Sequence, residues 1–296
     1  AFDLIVRGGT IVDGSGLPGF EGDIGITDGM ITEIGDLSGQ TADEVIDASG
    51  HVVSPGFIDG HAHYDAQIFW DDIGSNICWH GVTTAIMGNC GFTLAPCAEQ
   101  NKRLVFSNLE MAEEISPEAM EAGIDWSWET FPEFMDHVDS IPKGINYATY
   151  VGHSAIRTYV MGERAYKDVA NADDLAAMED QVETAMRAGA VGFSTTISAN
   201  HRTADGGPVA SRYAEWSEIE ALVGVMGRLG SGVFELSRGG LRADQEARDA
   251  DIARLKALAI DTKVPITFGG AWSSRANPDT WRRSEERRVG KECRSR

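Results

Sequence analysis

At residues 54–63 the chain reads SPGFIDGHAH, and this stretch decides how the sequence is interpreted. The apolar run at residues 52–58 predicts a buried strand that ends at Asp59. Because side chains two apart on an extended segment point the same way, His61 and His63 can reach one ion. Imidazole is a common ligand of Zn²⁺. The alternative, two polar residues on a surface turn, is disfavoured by the strand that precedes them.

Downstream of this stretch, strands alternate with helices. Apolar strands are predicted to begin near residues 52, 82, 145, 190, 232 and 264. Helices are predicted over 173–189 and 243–259. A further helix is predicted to begin at a capping box formed by Ser217 and Glu220. This alternation predicts a parallel sheet with right-handed crossovers. A complete (β/α)8 barrel takes about 250 residues, so residues 55–281 predict a partial TIM-type barrel of about six strands.

The two ends of the chain have a different character. Residues 1–54 are β-rich, with a hairpin signal at Asp28-Gly29, and predict part of a β-sandwich. Residues 282–296 form a basic tail without apolar periodicity, which predicts a non-native extension. The expected organisation is therefore an N-terminal β-rich unit (1–54), an incomplete barrel (55–281) and a foreign tail.

The second predicted barrel strand ends at another residue that can bind a metal. Cys90 lies in the turn GNCGF at residues 88–92. Because the ends of neighbouring barrel strands lie side by side, its thiolate can reach the ion of the two histidines. The alternative is a small buried cysteine that fills the core, the role expected for Cys78 and Cys97.

Charge and composition exclude several classes of partner. The chain has 25 basic and 46 acidic residues, for a formal net charge of −21. Such a charge repels nucleic acids and anionic membrane surfaces, and no apolar run is long enough to predict a membrane-spanning helix. The cysteines of the body do not form a disulfide framework, which favours a reducing compartment and a cytoplasmic location.

Taken together, the motifs resemble those of the amidohydrolase superfamily. The superfamily resemblance rests on LIVRGGTIVDG (4–14), IDASG (46–50), SPGFIDGHAH (54–63) and GVTT (81–84). The D-aminoacylase, or N-acyl-D-amino-acid deacylase, group is resembled by GNCGF (88–92), WSWETF (126–131), GHSAIR (152–157) and GAVGFST (189–195). The resemblance covers roughly residues 3–281.

The resemblance implies a zinc-dependent hydrolase of linear amide C–N bonds. In that group, residues matching His61, His63 and Cys90 are zinc ligands, and a zinc-activated water attacks the acyl carbonyl of an N-acyl-D-amino acid or a similar small molecule. The family also has histidine ligands on its fifth and sixth strands and a catalytic Asp after the eighth. Here the fifth and sixth strand ends, FELSR (234–238) and ITFGG (266–270), contain no histidine, and no catalytic Asp can be named. One or two zinc ions are therefore both compatible with the sequence.

Four further residues are candidates for contacts with substrate. His153 follows a predicted strand, and His201 and Arg202 lie in a polar loop that can close over the pocket and grip a carboxylate. Glu235, in the fifth strand, can line the pocket or replace a histidine ligand. Structural hydrogen bonds or a solvated loop are the alternatives for these residues.

Two other functions stay open. A cyclic-amide hydrolase of the dihydroorotase or hydantoinase type usually bridges two metals with a carboxylated lysine, and no lysine ends a predicted strand. An inactive truncated scaffold is the second alternative, because the missing strands would carry the catalytic Asp. This 296-residue chain alone is therefore expected to be poorly soluble and inactive.

Overall fold

In a computed structural model, residues 1–238 and 245–268 are described, without the side chains of 245–249. The chain divides into two compact units, Ala1–Phe57 and Ile58–Arg296, close to the predicted boundary after residue 54. The predicted tail at 282–296 and the end of the predicted sixth strand, Gly269-Gly270, lie outside the described residues.

The N-terminal unit is one five-stranded sheet of order β3-β2-β1-β4, with β5 also paired to β1. Its strands are β1 (Phe2–Ile11), β2 (Phe20–Thr27), β3 (Met30–Gly35), β4 (Ala42–Asp47) and β5 (Val52–Val53). The predicted hairpin is confirmed: β2 and β3 are antiparallel, and Asp28 and Gly29 have φ of 52° and 73°, as a type I′ turn requires.

The second unit contains the barrel strands. They are β6 (Phe57–Asp59), β7 (Val82–Met87), β8 (Asn146–Thr149), β9 (Val151–Gly152), β10 (Gly192–Thr196), β11 (Val233–Ser237) and β12 (Ile266–Phe268). They form two sheets, β6-β7-β8 and β12-β11-β10-β9. Only Tyr150 separates β8 from β9, so the described strands occupy the six predicted barrel positions, in agreement with a partial barrel.

One strand prediction needs correction. The run 52–58 was expected to form a single strand, but the structure divides it between β5, which pairs with β1, and β6, which belongs to the barrel sheet. Pro55 has no backbone N–H to donate to a ladder, so the run is interrupted there.

Helices connect the barrel strands. They are α1 (Ser75–Cys78), α2 (Lys102–Glu113), α3 (Pro117–Gly123), α4 (Phe131–Ser140), α5 (His153–Met161), α6 (Ala172–Arg187), α7 (Trp216–Leu229) and α8 (Gln245–Thr262). The expected capping box at Ser217 is wrong: α7 already begins at Trp216, and its N-cap, Glu215, makes no side-chain cap bond. A capping box is instead found at α6, between Asn171 and Asp174.

Strand register positions the side chains around the site. Phe193 pairs with Phe234, and their rings stack in the core with centroids 5.9 Å apart. Because successive side chains alternate between faces, the next cross-strand pair, Ser194 and Glu235, points to the opposite side. Within the described part of the chain, no helix combines the length and apolarity needed to cross a bilayer.

Candidate metal centre

The structure brings the three predicted metal ligands together. Cys90 Sγ lies 3.4 Å from His61 Nε2 and 3.7 Å from His63 Nε2. Tetrahedral zinc with Zn–S of about 2.3 Å and Zn–N of about 2.05 Å would separate sulfur and nitrogen by about 3.6 Å. The two measured distances lie on either side of that value, and the donor set of two imidazoles and one thiol suits zinc.

The backbone of Cys90 is held in an unusual conformation. Its φ is 59°, in the left-handed region, which costs a non-glycine residue about 1–2 kcal/mol. Gly88 before it has φ of 77°, and a Cβ there would lie 2.5 Å from the carbonyl oxygen of Tyr150. Ser194 accepts a 2.9 Å hydrogen bond from Gly91 N and donates one to Gly88 O. The turn therefore aims the thiol at the histidines through contacts supplied by a distant strand.

Glu235 completes the support of this turn. Its Oε2 accepts a 2.7 Å hydrogen bond from Cys90 N, and its Oε1 lies 3.8 Å from His61 Nδ1. The carboxylate is 2% exposed, and burial raises the pKa of Glu235 to about 7. The structure thus places Glu235 behind two of the predicted ligands.

The surroundings of the three donors favour their uncharged forms, although the His61 side chain is 46% exposed. It lowers the pKa of His61, and it lowers the pKa of His63 to about 4 with a further contribution from His61 and His201. Burial, together with the Glu235 carboxylate, raises the pKa of the Cys90 thiol to about 12. Near neutral pH the imidazoles are ready to bind a cation, whereas the thiol must lose its proton when it does so.

His201, in the loop after β10, lies close to this cluster. The ring of Phe92 has its centroid 5.2 Å from that of His201 and 6.2 Å from that of His63. Burial and the neighbouring Arg212 lower the pKa of His201 to about 4, and its Nδ1 lies 2.8 Å from Thr196 Oγ1. Arg202, by contrast, is exposed and donates to the carbonyl oxygen of Ala199.

The arrangement around His153 does not fit a substrate contact. His153 is fully buried, with Nδ1 2.7 Å from Thr195 Oγ1 and Nε2 2.7 Å from Glu218 Oε1. Arg157, also fully buried, donates to both oxygens of Glu218. Both ring nitrogens are therefore used inside the protein, and His153 belongs to a buried network; a strand end followed directly by a helix has turned it inward.

Sequence reasoning missed two carboxyl groups beside His63. Asp65 is fully buried, and burial raises its pKa to about 7; burial and the neighbouring Asp65 also raise the pKa of Glu113. His63, Asp65 and Glu113 each offer a ligand atom, and these atoms lie within 4.8 Å of one another. The spacing of Asp65, two residues after His63, was a usable signal, but nothing in the local sequence points to Glu113.

Comparisons with known proteins identify the family of the chain. The Amidohydrolase family profile matches residues 44–292, which includes part of the basic tail. D-aminoacylase from Alcaligenes xylosoxydans xylosoxydans is 39% identical over 194 residues, covering 66% of this chain and 37% of that protein.

Solved structures give the same result. A D-aminoacylase structure, described for the functional role of its binuclear metal centre, superposes with a TM-score of 0.75 at 29% identity, covering 94% of this chain and 53% of that one. N-acyl-D-glutamate deacylase from Bordetella bronchiseptica, solved with zinc and a phosphonate mimic of the tetrahedral intermediate, has a TM-score of 0.73 at 25% identity. It covers 98% of this chain and 56% of that one. The chain thus spans about half the length of these proteins or less.

Proposed function

Because the chain belongs to the amidohydrolase family, we propose that it forms the metal-binding part of a hydrolase that cleaves linear amide C–N bonds. The substrates are small N-acyl-D-amino acids or similar N-acyl compounds, the class named for its relatives. The observation that carries the proposal is the position of Cys90 Sγ, 3.4 and 3.7 Å from the two histidine nitrogens.

In this proposal His61, His63 and Cys90 hold a zinc ion. A bound zinc ion supplies Lewis acidity toward the acyl carbonyl and lowers the pKa of water near it. The chain's own residues orient the ligands. Glu235 accepts a hydrogen bond from Cys90 N and lies 3.8 Å from His61 Nδ1, so its main role is to position these two ligands. Since Glu235 Oε1 has no hydrogen bond among the described residues, it is also available to a polar group of the substrate.

Recognition of the substrate is assigned to the loop after β10. His201 is packed against Phe92, whose ring also lies beside that of His63. Arg202, exposed on that loop, offers a charge for a substrate carboxylate. A net charge of −21 makes nucleic acids and anionic membranes unfavourable partners. The unpaired thiols of Cys78, Cys90 and Cys97 favour a cytoplasmic location.

The number of zinc ions follows from the donors. The three ligands found together are enough for one catalytic zinc site with an open position. Among the described strands none ends in lysine, so a lysine-bridged pair of metals, as in cyclic-amide hydrolases, has no support there. We therefore propose one tightly held zinc per chain.

Metal content tests the first half of the proposal. The purified 296-residue chain, exchanged into zinc and desalted, is expected to retain one zinc per chain by mass spectrometry of the metal. Cys90→Ser is expected to lose it. Cys97→Ser is the matched control, because Cys97 is as deeply buried as Cys90 but lies outside the cluster. Equal zinc in all three proteins would contradict the proposed ligands.

Turnover tests the second half, with the complete gene product that carries these residues. It is incubated with N-acetyl-D-amino acids, their L-enantiomers, and the cyclic amides hydantoin and dihydroorotate. Release of free D-amino acid that depends on zinc and on Cys90 is expected. Preference for the cyclic amides would favour the hydantoinase type, and zinc binding without any hydrolysis would favour an inactive scaffold.

A further inference from the structure

Beside the cluster of His61, His63 and Cys90 lie two carboxyl groups that the proposed chemistry does not use, the buried Asp65 and the half-buried Glu113. Asp65 follows β6, and Glu113 is the last residue of α2, 48 positions further along the chain. Asp65 Oδ2 accepts a 3.1 Å hydrogen bond from Gly88 N, where the Cys90 turn begins. Glu113 Oε2 accepts a 3.3 Å hydrogen bond from Ala66 N, in the loop that carries the histidines. The pair is thus attached to both ligand-bearing loops.

Each carboxyl group retains one oxygen that is buried and has no hydrogen bond among the described residues. These are Asp65 Oδ1 and Glu113 Oε1, and His63 Nδ1 is in the same condition. His63 presents its other nitrogen, Nε2, to Cys90 Sγ. No hydrogen bond joins these three atoms in the structure, but ligand atoms of the three residues lie within 4.8 Å of one another. Because buried polar groups are nearly always paired, a small movement that brings these atoms together would satisfy them.

We propose that the Asp65–Glu113 carboxyl pair is the positioning group of His63. When His63 binds the cation, the pair accepts the Nδ1–H of the imidazole, which fixes the tautomer in which the Nε2 lone pair faces Cys90 and the cation. Metal-bound histidines commonly donate their second ring N–H to a carboxylate, which fixes the ring orientation and raises the basicity of the ligand. This inference rests on the metal centre proposed above.

The alternative occupant of the pair is a second cation. Ca²⁺ and Mg²⁺ take six or more ligands, mostly oxygens, and the pair has only two unused oxygens. Four-coordinate zinc would need His63 as well, and that imidazole already faces Cys90 through Nε2. The donor count therefore favours a hydrogen bond from His63 over an ion.

Cobalt binding to the 296-residue chain tests the inference. Glu113→Leu removes the acceptor at similar size, Glu113→Gln restores a carbonyl acceptor, and Glu114→Leu, at the exposed neighbouring residue, is the matched control. The dissociation constant of Co²⁺ is measured by chelator competition, and the cobalt–thiolate absorption band reports the ligand geometry. Glu113→Leu is expected to weaken binding about 10- to 100-fold and to shift the band. Glu113→Gln and Glu114→Leu are expected to retain wild-type values.

Several results would overturn the inference. One is a Glu113→Leu protein that folds, by circular dichroism, and binds Co²⁺ with the wild-type constant and spectrum. Another is a wild-type chain that binds two Co²⁺ ions and a Glu113→Leu variant that binds only one, with the affinity of the tighter ion unchanged. That result would identify the carboxyl pair as a second cation site. If Glu113→Leu does not fold, weak binding by the folded Glu113→Gln would equally contradict the expected rescue. A wild-type chain that binds neither zinc nor cobalt would refute the proposed function itself. Failure of the proposed function is thus distinguished from failure of this inference, in which the wild-type chain binds the metal.

Discussion

Breaking the buried network around Glu218 is predicted to be among the most destabilising single changes in the barrel. Glu218 is 4% exposed, its oxygens accept hydrogen bonds of 2.6 and 2.5 Å from Arg157, and one of them lies 2.7 Å from His153 Nε2. Glu218→Leu leaves the fully buried guanidinium of Arg157 without its counter-charge. Removing one partner of a buried ion pair costs about 3–5 kcal/mol of unfolding free energy.

A double substitution separates the cost of the unpaired Arg157 charge from the cost of lost packing. Replacing both groups, in Arg157→Met with Glu218→Leu, removes the unpaired charge and is expected to cost clearly less than Glu218→Leu alone, because apolar replacement of a whole buried pair is often nearly neutral. Urea unfolding followed by circular dichroism gives the free energies, and Glu218→Gln serves if Glu218→Leu does not fold. Equal losses in the single and double variants would refute the reasoning, as would a loss below about 1 kcal/mol, the level of exposed pairs.

Three further predictions concern the metal centre. Because the pKa of Cys90 is about 12, zinc binding releases the thiol proton, so affinity measured by chelator competition is expected to rise about tenfold per pH unit from pH 7 to 9; a flat profile would contradict thiolate ligation. Gly88→Ala forces a Cβ to within 2.5 Å of Tyr150 O at a φ of 77°, and is expected to lower unfolding free energy by about 2–4 kcal/mol and weaken zinc binding; wild-type melting and zinc content would exclude this. The pKa of Glu235 is raised to about 7 in the folded chain, so its protonated form stabilises the fold below its unfolded pKa and that stabilisation is lost as pH rises toward 7. Metal-free Glu235→Gln is therefore expected to gain unfolding free energy relative to wild type between pH 5 and 8, and a constant difference in urea unfolding would show otherwise.

Much of the fold could be predicted because hydrophobic runs and turn residues carry local information. The barrel strands near residues 82, 190 and 232 and the Asp28-Gly29 hairpin were found this way. Errors arose at the boundaries of elements, which local patterns fix less well than the elements themselves. Pro55 divides a single apolar run between two sheets, and α7 begins one residue before the expected cap.

The candidate site was predictable only in part, because some of its contacts join residues that are far apart along the chain. His61 and His63 are neighbours in sequence, and the end of the next strand pointed to Cys90. The partners of Glu113 and the network of His153 depend on contacts between residues far apart along the chain, which no local pattern encodes. His153 in particular follows a strand, as a pocket residue would, yet α5 starts at that residue and turns it into the core.

The Cys90 turn also has a consequence for the order in which the chain is made. Its backbone N–H is bonded to Glu235, and its flanking glycines are bonded to Ser194, more than a hundred residues later in synthesis. While the ribosome has delivered only the first half of the barrel, the histidines, the cysteine and the Asp65 contact to Gly88 N are present, but the contacts from Ser194 and Glu235 are not. The nascent chain therefore assembles its ion-binding corner late, after translation has passed the fifth barrel strand.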